Sequence, residues 1–272
     1  NMNIRILGFT FVDALRQTDS LNTKGKSGFT LAEVLITLGI IGIVAAMTIP
    51  TLIKTYQKTS TAQQLKETYS IITQAAKLYT NETETEFGSF DTQISEKEFL
   101  DKYFSPYLKV VLRCEPASEC YKNAKTPLAI DRKTTLTLPA YMIGLLNGSY
   151  VGIMRTLGGA VFYVDLNGRS NPNVEGRDIF SFYLVNIDTI GNPNSGCEQQ
   201  LAALKNFKSG LYPGGLESCY IPHAAKTREQ LLGTAVHRSC NPKTSWIGQG
   251  GGNACAAVIM MDGWKISKDY PW

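Results

Sequence analysis

A run of 25 residues, 29–53, contains a single ionisable side chain, that of Glu33. At about 1.5 Å per residue, a helix of this length crosses a hydrocarbon core of about 30 Å. Lys24 and Lys26 precede the run, and basic residues on that side favour a cytoplasmic N-terminus. The sequence therefore predicts one membrane-spanning helix, with the chain after it exported.

The carboxylate of Glu33 is costly inside a bilayer and marks a pairing or a pathway. If the chain is cut between Gly28 and Phe29, the new ammonium group lies one helical turn from Glu33 and can pair with it, within one chain or between neighbouring helices. The alternative is an ordinary membrane anchor or an uncleaved signal segment. A secretory signal, however, places its apolar run before the cleavage site and not after it.

The sequence GFTLAEVLI at residues 28–36, with the apolar helix that follows, resembles the N-terminus of type IV pilins and of type II secretion pseudopilins. The resemblance implies cleavage after Gly28 by a prepilin peptidase and N-methylation of Phe29. It also implies that the helix first anchors the subunit in the inner membrane and later packs in a filament core. In that core Glu33 faces a neighbour's N-terminal amine. The leader is longer than the short basic leaders common in the family.

The resemblance implies three regions. These are a removed leader at residues 1–28, a transmembrane and filament-core helix at 29–53, and an exported pilin-like globular domain at 54–272 that includes the amphipathic half of the helix. The expected localisation is a single-pass inner-membrane protein before assembly, with the C-terminal domain periplasmic or extracellular. After assembly, a cell-surface or periplasmic filament is expected.

The function implied is that of a structural subunit of a type IV pilus-like filament, and not of an enzyme. Expected partners are other pilin subunits in a helical filament, the inner membrane, prepilin peptidase, and the assembly platform and secretin machinery. Two alternatives stay open: a type II secretion pseudopilin, and a minor tip subunit that acts as an adhesin or DNA-binding module.

Charge gives no strong nucleic-acid signal. The whole chain has 27 Lys or Arg against 23 Asp or Glu, and removing the leader leaves 23 against 21. The roughly 190 residues that follow the long helix as a whole, which extends past residue 53, are enough for one domain with its own core.

The cysteines all lie in the part predicted to be exported, which fits disulfides formed in an oxidising compartment. Spacing does not fix their pairing, although the short turn between Cys114 and Cys120 favours these two as a local pair. Zinc is the alternative, but no C-x-x-C pair is present and the histidines are limited to His223 and His237. The disulfide candidates are Cys114, Cys120, Cys197, Cys219, Cys240 and Cys255.

The predicted fold class is α+β, with a long N-terminal helix packed on an antiparallel β-sheet and a disulfide-tied, loop-rich C-terminal region. The helix is apolar all round in its first half and amphipathic in its second, to about Tyr79. The apolar stripe of the second half consists of Leu65, Tyr69, Ile72, Ala76 and Tyr79. Ser95 and Glu98 form a capping-box pattern that predicts a short helix over residues 96–103.

Turn signals in the middle of the chain predict an antiparallel meander. Asn147-Gly148 lies between AYMIGLL and SYVGIM and predicts a hairpin, AVFYVD follows at residues 160–165, and IFSFYLV begins at Ile179. In the last third we expect short helices near residues 198–207 and 227–237. Asp262-Gly263 between AAVIMM and WKIS predicts a second hairpin.

Calcium is a candidate ligand of the connection after residue 164, because this run offers several side-chain oxygens in a flexible loop. It resembles the calcium loop of some pseudopilins in composition only, and the EF-hand spacing is absent. The alternative is a turn in which Asp and Asn bond to their own backbone and Gly168 takes a positive φ. The candidate calcium ligands are Asp165, Asn167, Asn173 and Asp178.

Catalytic and phosphate-binding patterns are weak. His223 or His237 with a cysteine lacks a third orienting group, and GQGGGN lacks the Lys-Ser/Thr ending of a phosphate-binding loop.

Gly39, Gly42 and Ala46 place small residues at spacings of three and four along the apolar helix, which allows close helix packing.

Overall fold

The structure is a computed structural model that describes residues 28–86, 90–91, 93–156, 159–185, 208–214, 227–234, 238–246 and 249–272. The chain divides into two compact units, Asn1–Leu52 and Ile53–Trp272. The first helix, α1 (Leu31–Thr83), contributes residues to both.

Helix α1 is the long helix that the sequence predicts, but it ends at Thr83 and not at Tyr79. The extra turn is supported by side-chain bonds, since the Thr83 hydroxyl donates to the Tyr79 carbonyl at 2.8 Å and the Tyr107 hydroxyl donates to Glu82 at 2.5 Å. From residue 62 onward, one face of α1 is buried at helical spacing. Its buried residues are Ala62, Leu65, Thr68, Ile72, Ala75, Ala76 and Thr80.

Helix α2 (Glu96–Tyr103) begins as its capping box predicts. The Ser95 hydroxyl accepts from the Glu98 amide, and the Glu98 carboxylate accepts from the Ser95 amide at 3.0 Å. Phe99 within this helix and Phe104 just after it are fully buried, and the Phe104 ring meets that of Phe162 edge to face at 4.8 Å. Helix α2 therefore packs on the sheet through aromatic side chains.

A six-stranded antiparallel sheet follows the order of the chain, so each strand pairs with the next. Its strands are β1 (Val110–Cys114), β2 (Met142–Leu145), β3 (Tyr150–Thr156), β4 (Gly159–Asp165), β5 (Ile179–Val185) and β6 (Gly210–Pro213). Strands β7 (Ser245–Trp246) and β8 (Gln249–Gly250) form a separate pair. The predicted meander is confirmed for β2 to β5, and the edge strands β1 and β6 were not predicted.

The β2–β3 hairpin turns where the sequence predicts. Gly148 has φ of +89° and donates its N–H to the Leu145 carbonyl at 3.0 Å, while the Leu145 N–H donates to Ser149 at 2.8 Å. The loop is thus residues 146–148, one residue longer than the Asn-Gly pair alone, with glycine in the left-handed position.

The core of the second unit lies between the sheet and the buried stripe of α1. Tyr69 illustrates the contact, because its ring lies 5.4 Å from that of Phe182 and its hydroxyl donates to the Leu211 carbonyl at 3.1 Å. A shared cluster contains Leu65 and Ile72 from α1 and residues of most strands. The predicted packing of the amphipathic half-helix on the sheet is confirmed.

The predicted hairpin around Asp262-Gly263 is wrong. Residues 255–261 form a buried helix, α4 (Cys255–Met261), and residues 264–267 are not a strand. Gly263, with φ of +68°, donates to Met260 at 3.1 Å, and Trp264 donates to Ile259 at 2.8 Å. These two bonds form a Schellman C-cap, which uses the same left-handed glycine as a hairpin turn. The short apolar run itself does not distinguish strand from buried helix.

Two disulfides join described residues of the second unit. Cys114 is bonded to Cys120, the local pair that the sequence favours, and Cys240 is bonded to Cys255 at the start of α4. The second bridge closes a loop of 15 residues, for which loop-closure entropy gives about 3 kcal/mol. Cys197 and Cys219 lie outside the described residues.

Helix α3 (Arg228–Leu232) is shorter than the predicted helix at residues 227–237. It begins with a second capping box, in which the Thr227 amide donates to the Gln230 side chain at 2.8 Å, and it ends at Gly233. The predicted helix at residues 198–207, together with His223 and His237, lies outside the described residues.

Replacing Gly263 by alanine is expected to destabilise the protein by about 1–2 kcal/mol, because a Cβ disfavours the left-handed conformation. An added Cβ would meet no atom within 4 Å, so the cost is conformational and not steric. Gly263→Asn is the matched control and should cost less, since asparagine tolerates this conformation. Urea denaturation of the detergent-solubilised chain, followed by tryptophan fluorescence, measures both. An alanine variant as stable as the parent would contradict the helix cap.

Candidate functional site

The predicted processing site lies in exposed chain just before α1. Residues 28–30 have no regular secondary structure, the Phe29 side chain is 86% exposed, and no atom lies within 4 Å of a Cβ built on Gly28. A protease needs an exposed peptide bond outside regular secondary structure, and the bond between Gly28 and Phe29 meets this condition.

Glu33 caps the N-terminus of its own helix. Its carboxylate accepts from the Thr30 amide and from the Thr30 hydroxyl, both at 2.8 Å, and the Glu33 amide donates back to the Thr30 hydroxyl at 3.2 Å. This is a capping box with Thr30 as the N-cap. Thr30 was missed in the sequence, although the Thr-x-x-Glu spacing is the signal that identifies it. The amide and hydroxyl that Thr30 offers to Glu33 are uncharged, so Glu33 still lacks a cationic partner among the described residues.

The apolar part of α1 has no protein cover. Large side chains along it, such as Leu35, Ile41 and Met47, are more than 60% exposed, and no atom lies near the Cβ positions of Gly39 and Gly42. Within the described residues, this is the helix long and apolar enough to cross a membrane. Exposed apolar area of this extent needs lipid or other helices to cover it.

The candidate calcium ligands lie at the end of β4 and in the loop that joins it to β5, and the carboxylates of Asp165 and Asp178 are buried, as is that of Glu175 in the same loop. Asp165 accepts the N–H groups of Asn167 at 3.1 Å and Gly168 at 2.9 Å, and the Tyr121 hydroxyl donates to it at 2.9 Å. Asp178 accepts the N–H groups of Asn173 at 2.8 Å and Val174 at 2.7 Å. The two aspartates thus fold both ends of the loop by satisfying its backbone.

The segment closed by the Cys114–Cys120 bridge contacts this loop and helps to position it. Tyr121 lies in the short 3-10 helix Ala117–Tyr121 that the bridge closes, and Arg169 donates from its Nε to the Cys120 carbonyl at 2.9 Å. The role of Tyr121 was not predicted, because its contact with Asp165 joins residues 44 apart in the sequence.

The residues present fit calcium in part. The Oδ1 atoms of Asn167 and Asn173 are buried and have no hydrogen-bond partner within the described chain. Burial, and then the nearby charge of Asp178, raise the pKa of Asp165 to about 8, and a bound cation would offset both effects. Two carboxylates and two amides still fall short of the six to eight oxygens that calcium takes. Among the described residues, no group of three or more His, Cys, Asp or Glu is arranged to hold a metal.

Comparison with known families adds to this geometry. A family of unknown function, DUF6613, matches residues 51–272. The chain belongs to the DUF6613 family. The prokaryotic N-terminal methylation motif matches residues 23–49 and ends just before Pro50. No curated protein and no solved structure matches the chain.

The methylation motif makes this DUF6613 chain a type IV pilin-like or pseudopilin subunit. Such subunits are structural proteins that assemble with other pilin subunits after processing by a prepilin peptidase. Among the described cysteines, all are in disulfides, which leaves no thiol there for metal binding or nucleophilic chemistry.

Calcium binding by the DUF6613 loop stays a prediction. If calcium binds, a chelator should lower the melting temperature of the protein, because the ion would neutralise two buried carboxylates in the folded state alone. Asp178→Asn is the matched variant, since it keeps the shape of the side chain, and its melting temperature should be insensitive to the chelator. No chelator effect on the parent protein would remove calcium from this loop.

Proposed function

We propose that this DUF6613 protein is a structural subunit of a type IV pilus-like filament, without enzymatic activity. The observation that carries the proposal is the methylation motif at residues 23–49, followed by an exposed apolar helix with one carboxylate. Such a subunit is made with a cytoplasmic leader, spans the inner membrane through residues 29–53, and exports residues 54–272.

Cleavage after Gly28 creates a positive charge at the start of the helix, where Glu33 has no cationic partner among the described residues. The donors that Thr30 offers to Glu33 are neutral, so the helix retains a net negative charge near its start. Removal of residues 1–28 gives Phe29 a free ammonium group, which N-methylation leaves cationic. In a filament, the Phe29 amine of one subunit then neutralises Glu33 of a neighbour in an apolar environment, where an isolated charge is costly.

Assembly also covers the apolar surface of α1. Side chains that face lipid in the membrane face neighbouring helices in the filament core, and the small residues Gly39, Gly42 and Ala46 allow close approach of these helices. Head-to-tail contacts that do not close generate a helical filament. The proposed partners are therefore other pilin subunits, the prepilin peptidase, and the assembly platform with its secretin. The proposed final location is a cell-surface or periplasmic filament.

A type II secretion pseudopilin is the closest alternative, because the methylation motif belongs to both classes. A neighbouring outer-membrane secretin encoded with exported enzymes would favour secretion, and a retraction motor would favour a pilus. A minor tip subunit that acts as an adhesin or DNA-binding module is the second alternative. Labelling that shows the subunit all along the filament would support the main structural role.

Substitution of Gly28 tests processing. Gly28→Ala is expected to retain partial cleavage, and a bulkier residue such as leucine should block it, because the peptidase must accommodate the side chain next to the cut bond. Mass spectrometry of the N-terminus of protein isolated from cells measures the outcome. Mature parent protein that begins upstream of Phe29 would contradict the proposal.

Substitution of Glu33 by alanine is expected to leave membrane insertion and cleavage largely intact and to reduce filament yield at least tenfold. The reason is that the carboxylate guides each incoming subunit by pairing with an amine in an apolar environment, where an unpaired charged side chain costs about 2.5–3.5 kcal/mol. Thr37→Ala is the matched control, since the Thr37 hydroxyl bonds only within its own helix, at 2.9 Å to the Val34 carbonyl. Sheared filaments quantified by immunoblot give the yield. Normal filaments from Glu33→Ala would argue against the pairing.

A further inference from the structure

A group of basic side chains follows the apolar stretch of α1. Lys54 directly follows Ile53, and Lys58 comes about one helical turn later. The helix from Lys54 to Lys66 contains no acidic residue. At about 1.5 Å per residue, Lys58 lies about 7.5 Å beyond Ile53 along the helix. Tyr56, between the two lysines, is 72% exposed.

The C-terminal segment brings two further lysines to the same surface. The Lys58 ammonium donates to the Ser267 carbonyl at 3.1 Å, and the Trp264 ring lies 5.4 Å from the Tyr69 ring. Residues 264–267 therefore run alongside α1 between these two contacts. Lys265 lies on this segment, Lys268 directly follows it, and both are exposed. We call Lys54, Tyr56, Lys58, Lys265 and Lys268 the basic surface.

Nearby carboxylates are already paired with another cation. Arg228 donates to Asp262 at 2.9 Å from Nη2 and to Asp269 at 2.7 Å from Nη1. Among the described residues, the lysines of the basic surface form no ion pair. Burial, followed by the charge of Lys54, lowers the pKa of Lys58, and the charge of Asp269 offsets part of this effect.

We propose that the basic surface binds anionic phospholipid headgroups of the bilayer that α1 spans. The inference rests on the proposed function, because it requires a subunit held in the membrane before assembly. Phosphate groups lie at the level where the apolar stretch of the helix ends. The long side chains of Lys54 and Lys58 can therefore extend to them from their positions in α1. Tyr56 has the amphipathic side chain typical of a membrane interface. Each lysine near an anionic surface strengthens binding roughly fivefold.

Lysine footprinting of the mature full chain in nanodiscs tests the proposal. Acetylation of Lys54, Lys58 and Lys268 should be roughly fivefold slower in nanodiscs that contain phosphatidylglycerol than in phosphatidylcholine alone. High salt should remove the difference, because it screens exposed charges. Lys133 and Lys243 are exposed elsewhere on the second unit and serve as internal controls whose rates should not change. Equal rates at the basic surface in both lipids would overturn the proposal.

A triple variant tests the contribution of the exposed lysines without disturbing the fold. Lys54→Gln with Lys265→Gln and Lys268→Gln keeps Lys58 and its bond to Ser267. In this variant the lipid-dependent protection of Lys58 should fall from roughly fivefold to less than about twofold. The matched variant, with Lys122, Lys133 and Lys243 replaced by glutamine, should behave like the parent. Undiminished protection in the first variant would contradict a role for these lysines.

Two further arms identify the source of the phosphate. Duplex DNA or inorganic phosphate, added to phosphatidylcholine nanodiscs at matched ionic strength, should give no protection, and protection by either would overturn lipid as the ligand. N-terminal processing of the same preparation is read separately. A chain that begins at Phe29 and assembles, but shows no lipid dependence, loses this inference and keeps the proposed function. A chain that is not processed loses the proposed function itself.

Discussion

The lone charge of Glu33 in an apolar helix constrains this protein most strongly. A carboxylate in that position needs partners, and the fold supplies only the neutral donors of Thr30. The apolar residues after it are likewise uncovered by protein. Neither deficit is met by the described residues of one chain, so both point to surroundings outside it, which under the proposed function are lipid first and other copies of the helix later.

From residue 62 the same helix obeys a different constraint. Its buried positions recur at spacings of three and four, and they contact a sheet in which each strand pairs with the next strand along the chain. The second unit therefore has a core of its own, built from α1, the aromatic residues of α2 and the inner face of the sheet. A helix with two kinds of surface along its length can serve a membrane or filament at one part and a folded domain at the other.

Disulfides and buried carboxylates fix the less regular parts of the second unit. The Cys114–Cys120 bridge holds Tyr121 against Asp165, and the Cys240–Cys255 bridge ties α4 to the chain before it. At the two ends of the loop after β4, Asp165 and Asp178 each accept hydrogen bonds from two backbone N–H groups. Their primary role in the structure is to close the loop, and any ion would have to bind in addition to these bonds.

Local signals in the sequence determined the apolar helix, the capping box at Ser95, the Asn-Gly hairpin and the strands beside it, because each depends on residues within a few positions of one another. The processing motif is local in the same way. Only the tertiary structure decided that residues 255–261 form a helix, since a short apolar run and an Asp-Gly pair suit a buried helix with a left-handed cap as well as a hairpin. It also decided the edge strands, the partner of Cys240, the contact of Tyr121 with Asp165, and the meeting of Lys58 with Ser267. These features join residues far apart in the chain, and packing of the whole domain, not sequence spacing, brings them together.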